Sequence, residues 1–140
     1  MTDATLTIEG TVHIARRGHG GRSELREGAA PPEPPPERVP RVARLMALAI
    51  KMDGRVRTGV VRDYAELARL ERVTPARITQ VMNLTLLAPD IQEALLFLPP
   101  VTAGREPLVL ADLQRVAAVR VWRGQRRAWR ELTAARGNRT

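Results

Sequence analysis

Asp63 to Leu84 reads DYAELARLERVTPARITQVMNL, and the fold turns on this stretch. Asp63 stands where a helix N-cap is expected, and Glu66 three residues later completes a capping-box pattern. Tyr64, Leu67 and Ala68 then share one side of a short helix and are expected to face inward. Thr74 and Pro75 open a second helix. The threonine hydroxyl can accept from a free backbone N–H, and proline at the first helical position gives up a donor that had no partner. At about 100° per residue, Ile78, Val81, Met82 and Thr85 fall on one face and Ala76, Thr79, Gln80 and Asn83 on the other.

Two short helices joined by three or four residues form a plan that can lay the second helix in the major groove of DNA. The outer face of the second helix suits that task. Asn and Gln pair bidentately with adenine, while Thr and Ala can meet the thymine methyl. Thr74, Ala76, Thr79, Gln80 and Asn83 are therefore the expected base contacts, with Arg77 beside them for a phosphate. An ordinary helical hairpin with a polar outer face is the bland alternative. The tight turn, the Thr-Pro cap and an outer face without Glu or Lys favour DNA.

Three segments flank or carry this pair. Residues 1–28 hold two strand-like alternations, Leu6 and Ile8 then Val12 and Ile14, a turn rich in glycine (Gly18, Gly20, Gly21) and a further strand at Ser23 to Glu27. A loose β-hairpin is expected there. Residues 29–40 read AAPPEPPPERVP, with six prolines in the last ten, and predict a stiff, solvated spacer. From Arg41 the pattern is helical. Val42, Leu45, Met46, Ala49, Met52 and Val56 make one apolar stripe that Gly59 ends or follows as the start of a turn, and Asp90 begins a helix bearing Ile91, Ala94, Leu95 and Leu96 before Pro99 and Pro100. The expected fold is mainly α: a multi-helix helix-turn-helix domain over 41–98, a basic helical extension over 99–135 and a disordered tail over 136–140.

DYAELARL, VTPARITQVMNL and LAPDIQEALL resemble the helix-turn-helix region of ParB/KorB-type partition proteins, including an L-x-P-x-x-Q-x-x-L continuation. Val39 to Leu98 also looks like small helix-turn-helix proteins found beside bacterial and phage site-specific recombinase genes. The likeness extends over Val39 to Trp129 and is most specific from Ala65 to Leu98. It implies sequence-specific binding of double-stranded DNA through the Thr74–Leu84 helix, and a role in recombination, partition or transcription regulation. One departure stands out: the glycine usual in the turn is absent, and Glu71 or Arg72 occupies its place. A non-glycine residue there must take an unfavourable backbone, or the turn must lengthen. The arginine-rich box of the ParB nucleotide site is missing before Arg41, so no CTPase activity is implied.

Charge points to a polyanion. The chain of 140 residues carries net +8. Residues 113–140 hold eight arginines against Glu131 alone, a net +7. The pattern from about Leu110 to Ala135 predicts one long helix. On it Ala118, Val121, Trp122, Trp129 and Leu132 form a docking face, with Val121 and Trp122 as core anchors. Arg120, Arg123, Arg126, Arg127 and Arg130 form the opposite stripe and are the expected phosphate contacts.

The chemistry of catalysis is missing from the sequence. There is no cysteine, the two histidines (His13 and His19) have no metal-ligand spacing, Ser23 has no base partner, and Arg17 to Arg22 lacks the lysine and spacing of a phosphate loop. Tyr64 reads as packing and not as a nucleophile. The sequence therefore predicts no enzyme, no cofactor and no metal. No apolar run approaches the roughly 20 residues of a membrane span, and Met1 to Gly10 has no leader-like pattern, so a cytoplasmic, nucleoid-associated protein with no membrane contact is expected. The expected partners are double-stranded DNA, a second copy in a homodimer, and a site-specific recombinase. A rival reading makes the chain an adaptor for such a recombinase, with the basic helix as its docking stripe.

Overall fold

The computed structural model describes residues 9–16 and 23–137, and the chain is mainly helical. Its longest helix, α1 (Arg41–Arg57), buries Val42, Met46, Ala49 and Met52 and half-buries Leu45 and Val56, so the apolar stripe lies where the spacing puts it. α1 has no cap of its own. Instead the Arg41 N–H donates to Oε2 of Glu106 at 2.8 Å, a carboxylate from a distant loop that satisfies one free donor of the first turn. Gly59, at φ +76°, takes the left-handed conformation just past the helix end.

α2 (Tyr64–Glu71) and α3 (Pro75–Met82) follow. Asp63 Oδ1 accepts from Glu66 N at 2.8 Å, as the cap pattern predicts. The Glu66 carboxylate reaches one residue further back than a capping box requires, accepting from Arg62 N at 2.8 Å. That backbone N–H holds the Glu66 carboxyl below its usual range. Leu67 and Ala68 are buried, but Tyr64 is 41% exposed and does not face inward. With no protein partner for its hydroxyl among the described residues, the phenol stays where water can supply one.

A 3-10 turn (Asn83–Leu86) leads into α4 (Pro89–Leu96), which begins one residue before Asp90 and buries Ile91 and Leu95. The long C-terminal helix expected from the sequence is two helices, α5 (Leu110–Ala117) and α6 (Trp122–Gly137). Gln125 explains the break. It is 2% exposed, its Nε2 donates to Leu86 O at 3.1 Å and Val119 O at 2.9 Å, and its Oε1 accepts from Ala88 N at 2.8 Å. Three backbone groups around the bend are satisfied by one side chain. A straight helix would carry Val119 away from Gln125 and leave its carbonyl to an ordinary helical bond. Gly124 permits the tight return, because a Cβ there would stand 2.8 Å from Val119 Cγ1.

The break turns α6 onto a different face. Gln125, Ala128, Trp129 and Leu132 meet the core, whereas Val121 is 65% and Trp122 50% exposed. Those two residues are not core anchors. One hydrophobic cluster runs from Val42 through Leu95 to Leu108, Leu113, Val116 and Ala117, so residues beyond 98 complete the core and are no appendage to it. Arg136 and Gly137 finish α6 where a disordered tail was expected. Arg136 Nη2 meets Oδ2 of the buried Asp112 at 2.8 Å, and the same carboxylate accepts from Val109 N at the start of α5. Residues 138–140 lie outside the described residues.

The chain divides into two compact units, Met1–Pro35 and Pro36–Thr140. In the first, β1 (Val12–Arg16) pairs antiparallel with β2 (Ser23–Glu27), from Val12↔Glu27 to Arg16↔Ser23. Leu6, Ile8, His19 and the Gly18, Gly20 and Gly21 turn lie outside the described residues. Residues 29–37 are exposed and irregular, as the prolines predict. The end of the expected spacer is tied down. Arg38 forms an antiparallel bridge with Val101, and Pro40 is fully buried at the start of α1.

Candidate nucleic-acid interface

α3 is held from within and open from without. Thr74, extended at φ −72° and ψ 151°, accepts through its side chain from Arg77 N at 3.2 Å, and Pro75 follows it in the first turn. Ile78, Val81 and Met82 are 3% exposed or less and fix the rotation of the helix. Ala76, Thr79 and Gln80 are exposed. Thr79 Oγ1 donates to Pro75 O at 3.1 Å, which engages the hydroxyl and leaves the methyl free. Arg77 is half-buried and donates from Nη1 to Gln80 Oε1 at 3.4 Å. With Arg41, Glu106 and the start of α5 it lines a surface cavity of 290 Å³.

Asn83 does not share this open face. It is half-buried, and its Nδ2 donates to Gln114 Oε1 at 3.3 Å. Gln114 Nε2 in turn donates to the backbone carbonyl of Gln80. The cause is distant in sequence: Asn83 keeps a helical backbone at φ −60° and ψ −21°, and α5 brings Gln114 against this end of α3. Asn83 and Gln114 together brace the C-terminal end of α3 against α5. Gln92, the glutamine of the L-x-P-x-x-Q-x-x-L pattern, also braces, donating to Thr85 O at 3.1 Å and Leu87 O at 2.9 Å.

The turn between α2 and α3 carries its strain at Arg72, which is left-handed at φ 55° and ψ 42°. Arg72 N donates to Arg69 O and Val73 N to Ala68 O, closing α2. Of the two positions left open by the missing glycine, Arg72 is the one that takes the unfavourable backbone.

The arginine stripe of α6 is smaller than expected. Arg126 grips Asp90 through Nε and Nη2 at 3.0–3.1 Å and lies 6.0 Å from the centre of the Trp122 ring. The Arg126 hydrogen bond holds the Asp90 carboxyl below its usual value, and Asp90 raises Arg126. Arg126 therefore joins α6 to the start of α4 and is withdrawn from the set of phosphate contacts. Arg120, Arg123, Arg127 and Arg130 are exposed and meet no carboxylate among the described residues. Arg123, Arg127 and Arg130 line a surface groove of 390 Å³ with Val121 and Gly124.

Sequence reasoning missed the contacts made by Gln114, Gln125, Glu106 and Asp90, because each acts through a partner far along the chain. Only Gln125 left a trace, as an uncharged polar residue among the α6 arginines. No helix of the described residues is long and apolar enough to cross a membrane. No known protein family, curated protein or solved structure matches the chain.

Proposed function

We propose that the chain is a sequence-specific double-stranded DNA-binding protein, an accessory or regulatory factor, in which α2, the Arg72–Thr74 turn and α3 form a helix-turn-helix. The observation that carries this reading is the two-sidedness of α3: three buried apolar residues fix it, while Ala76, Thr79 and Gln80 stand exposed and uncharged. In the major groove Gln80 pairs with adenine, and Ala76 and the Thr79 methyl meet thymine methyls. Thr74 lies at the N-terminal end, where recognition helices approach base edges. Arg77 takes a flanking phosphate, and the net charge of +8 supplies the non-specific attraction. Asn83 braces the reader and does not touch bases. The resemblance to ParB/KorB-type proteins and to recombinase-linked helix-turn-helix proteins makes partition or site-specific recombination the process we propose.

The test is selection of duplexes from a random pool, followed by comparison of selected and unrelated sites. Gln80→Ala removes a base pairing worth ~1–3 kcal/mol of discrimination and leaves non-specific affinity unchanged. If Gln80→Ala and Thr79→Ala chains both keep full preference for the selected site, α3 is not the reader.

A further inference from the structure

We infer that the outer surface of α6 docks an acidic, amphipathic segment of a partner protein. The sequence pattern made Val121 and Trp122 core anchors, but the bend at residues 118–121 leaves both exposed, Val121 in a groove with Arg123, Arg127 and Arg130 and Trp122 next to Arg126. Phosphates gain nothing from an exposed tryptophan and valine. Trp and Arg together are the residues that dominate protein–protein contacts.

Three further features fit such a partner. First, the ring of Trp122 is preorganised: the Arg126 guanidinium lies over it at 6.0 Å and is itself pinned by both oxygens of Asp90. An anchor held before binding loses little side-chain freedom on binding. Second, the surface is a groove of 390 Å³ and not a ridge. Gly124 lines it without a side chain of its own, and Val119 Cγ1 fills the space a Cβ there would need. An apolar side chain can seat there, between Val121 and the arginine stems. Third, Arg123, Arg127 and Arg130 stand at i, i+4 and i+7 and span about 10 Å of helix, matching carboxylates repeated at the same interval on a facing helix. None of the three meets a carboxylate among the described residues, so that charge is unspent.

The surface uses no residue of α3, so the inference stands apart from the DNA reading. The probe is a synthetic helical peptide with glutamates along one edge and leucines along the next. A scrambled peptide of the same composition and a short random-sequence duplex serve as controls. Binding is read by the fluorescence anisotropy of dye-labelled peptide mixed with the full-length chain at physiological salt. The ordered peptide is expected to bind at least about tenfold tighter than the scrambled one, and Trp122→Ser is expected to cost about tenfold. A chain with Arg123→Glu and Arg127→Glu, checked for unchanged helicity, is expected to lose this peptide and gain its lysine counterpart.

Equal binding of ordered and scrambled peptides overturns the inference. So does a double reversal that weakens duplex binding and flattens its salt dependence by roughly two phosphate contacts while ordered and scrambled peptides stay alike, because the face is then a phosphate clamp. Loss of a dimer on Trp122→Ser, seen by sedimentation, would assign the face to a second copy of the chain instead. A Gln80→Ala chain that keeps peptide binding while losing site preference separates the two proposals.

Discussion

Arg72 is the non-glycine residue among those described that holds a positive φ, at 55°. The left-handed conformation costs an L-residue roughly 1–2 kcal/mol. Glycine avoids that cost but loses about 0.5–1 kcal/mol more backbone entropy on folding. The first term is larger, so Arg72→Gly is expected to stabilise the chain by about 0.5–1 kcal/mol. A urea midpoint that rises with an unchanged slope would bear this out. A lower midpoint would mean that the guanidinium itself holds the turn. The sequence showed that a glycine was missing but not which residue took the strain, because that depends on where α2 stops. Asn83 teaches the same lesson from the other end of α3. Its side was assigned by a helical angle, which says nothing of Gln114 on α5 packing against it.

Caps and apolar stripes made most elements legible: Asp63, Thr74 with Pro75, and the α1 stripe all stand where the pattern put them. The α5–α6 bend was not legible. Periodicity continues across it, and its cause, Gln125, satisfies groups at Leu86, Ala88 and Val119 that only the folded chain brings together. The bend also brings Arg126 to Asp90, and that contact has a pH signature. Asp90 is held below its ordinary 3.8, chiefly by the Arg126 hydrogen bond. A depressed carboxylate stabilises the fold above its unfolded value and loses that contribution as pH falls from 3.8 through the folded one. Asp90→Asn imitates the protonated acid. Wild type and Asp90→Asn should therefore differ in thermal midpoint at neutral pH and converge as pH falls through the depressed folded value. The pair is exposed, so the gap is small. A gap constant across that range would show that the ion pair contributes nothing to stability.

At the scale of the whole molecule, the sequence set the start of the helical unit at the end of the proline-rich stretch, and the chain divides earlier, between Pro35 and Pro36. The difference lies in what residues 36–40 do. Arg38 N donates to Val101 O at 3.1 Å, Val101 N returns to Arg38 O at 2.8 Å, and Arg38 Nη2 donates to Gly104 O at 3.1 Å. Pro40 is buried at the mouth of α1. Proline composition predicts an extended spacer, but it says nothing of a distant loop that binds the end of one. Two truncations separate the contributions. Removing residues 1–35 should leave helicity and thermal midpoint unchanged, because every residue of the hydrophobic cluster lies at Val42 or beyond. Removing residues 1–40 deletes four hydrogen bonds, these three and Arg44 N to Pro40 O, at ~0.5–1.5 kcal/mol each, together with one buried side chain, a loss of about 4–8 kcal/mol. Circular dichroism and urea unfolding of the two chains decide between the boundaries. If the shorter truncation already unfolds the protein, residues before Pro36 are part of the core. If the longer one is as stable as the full chain, the Arg38–Val101 clip is ornamental and the boundary belongs at Arg41.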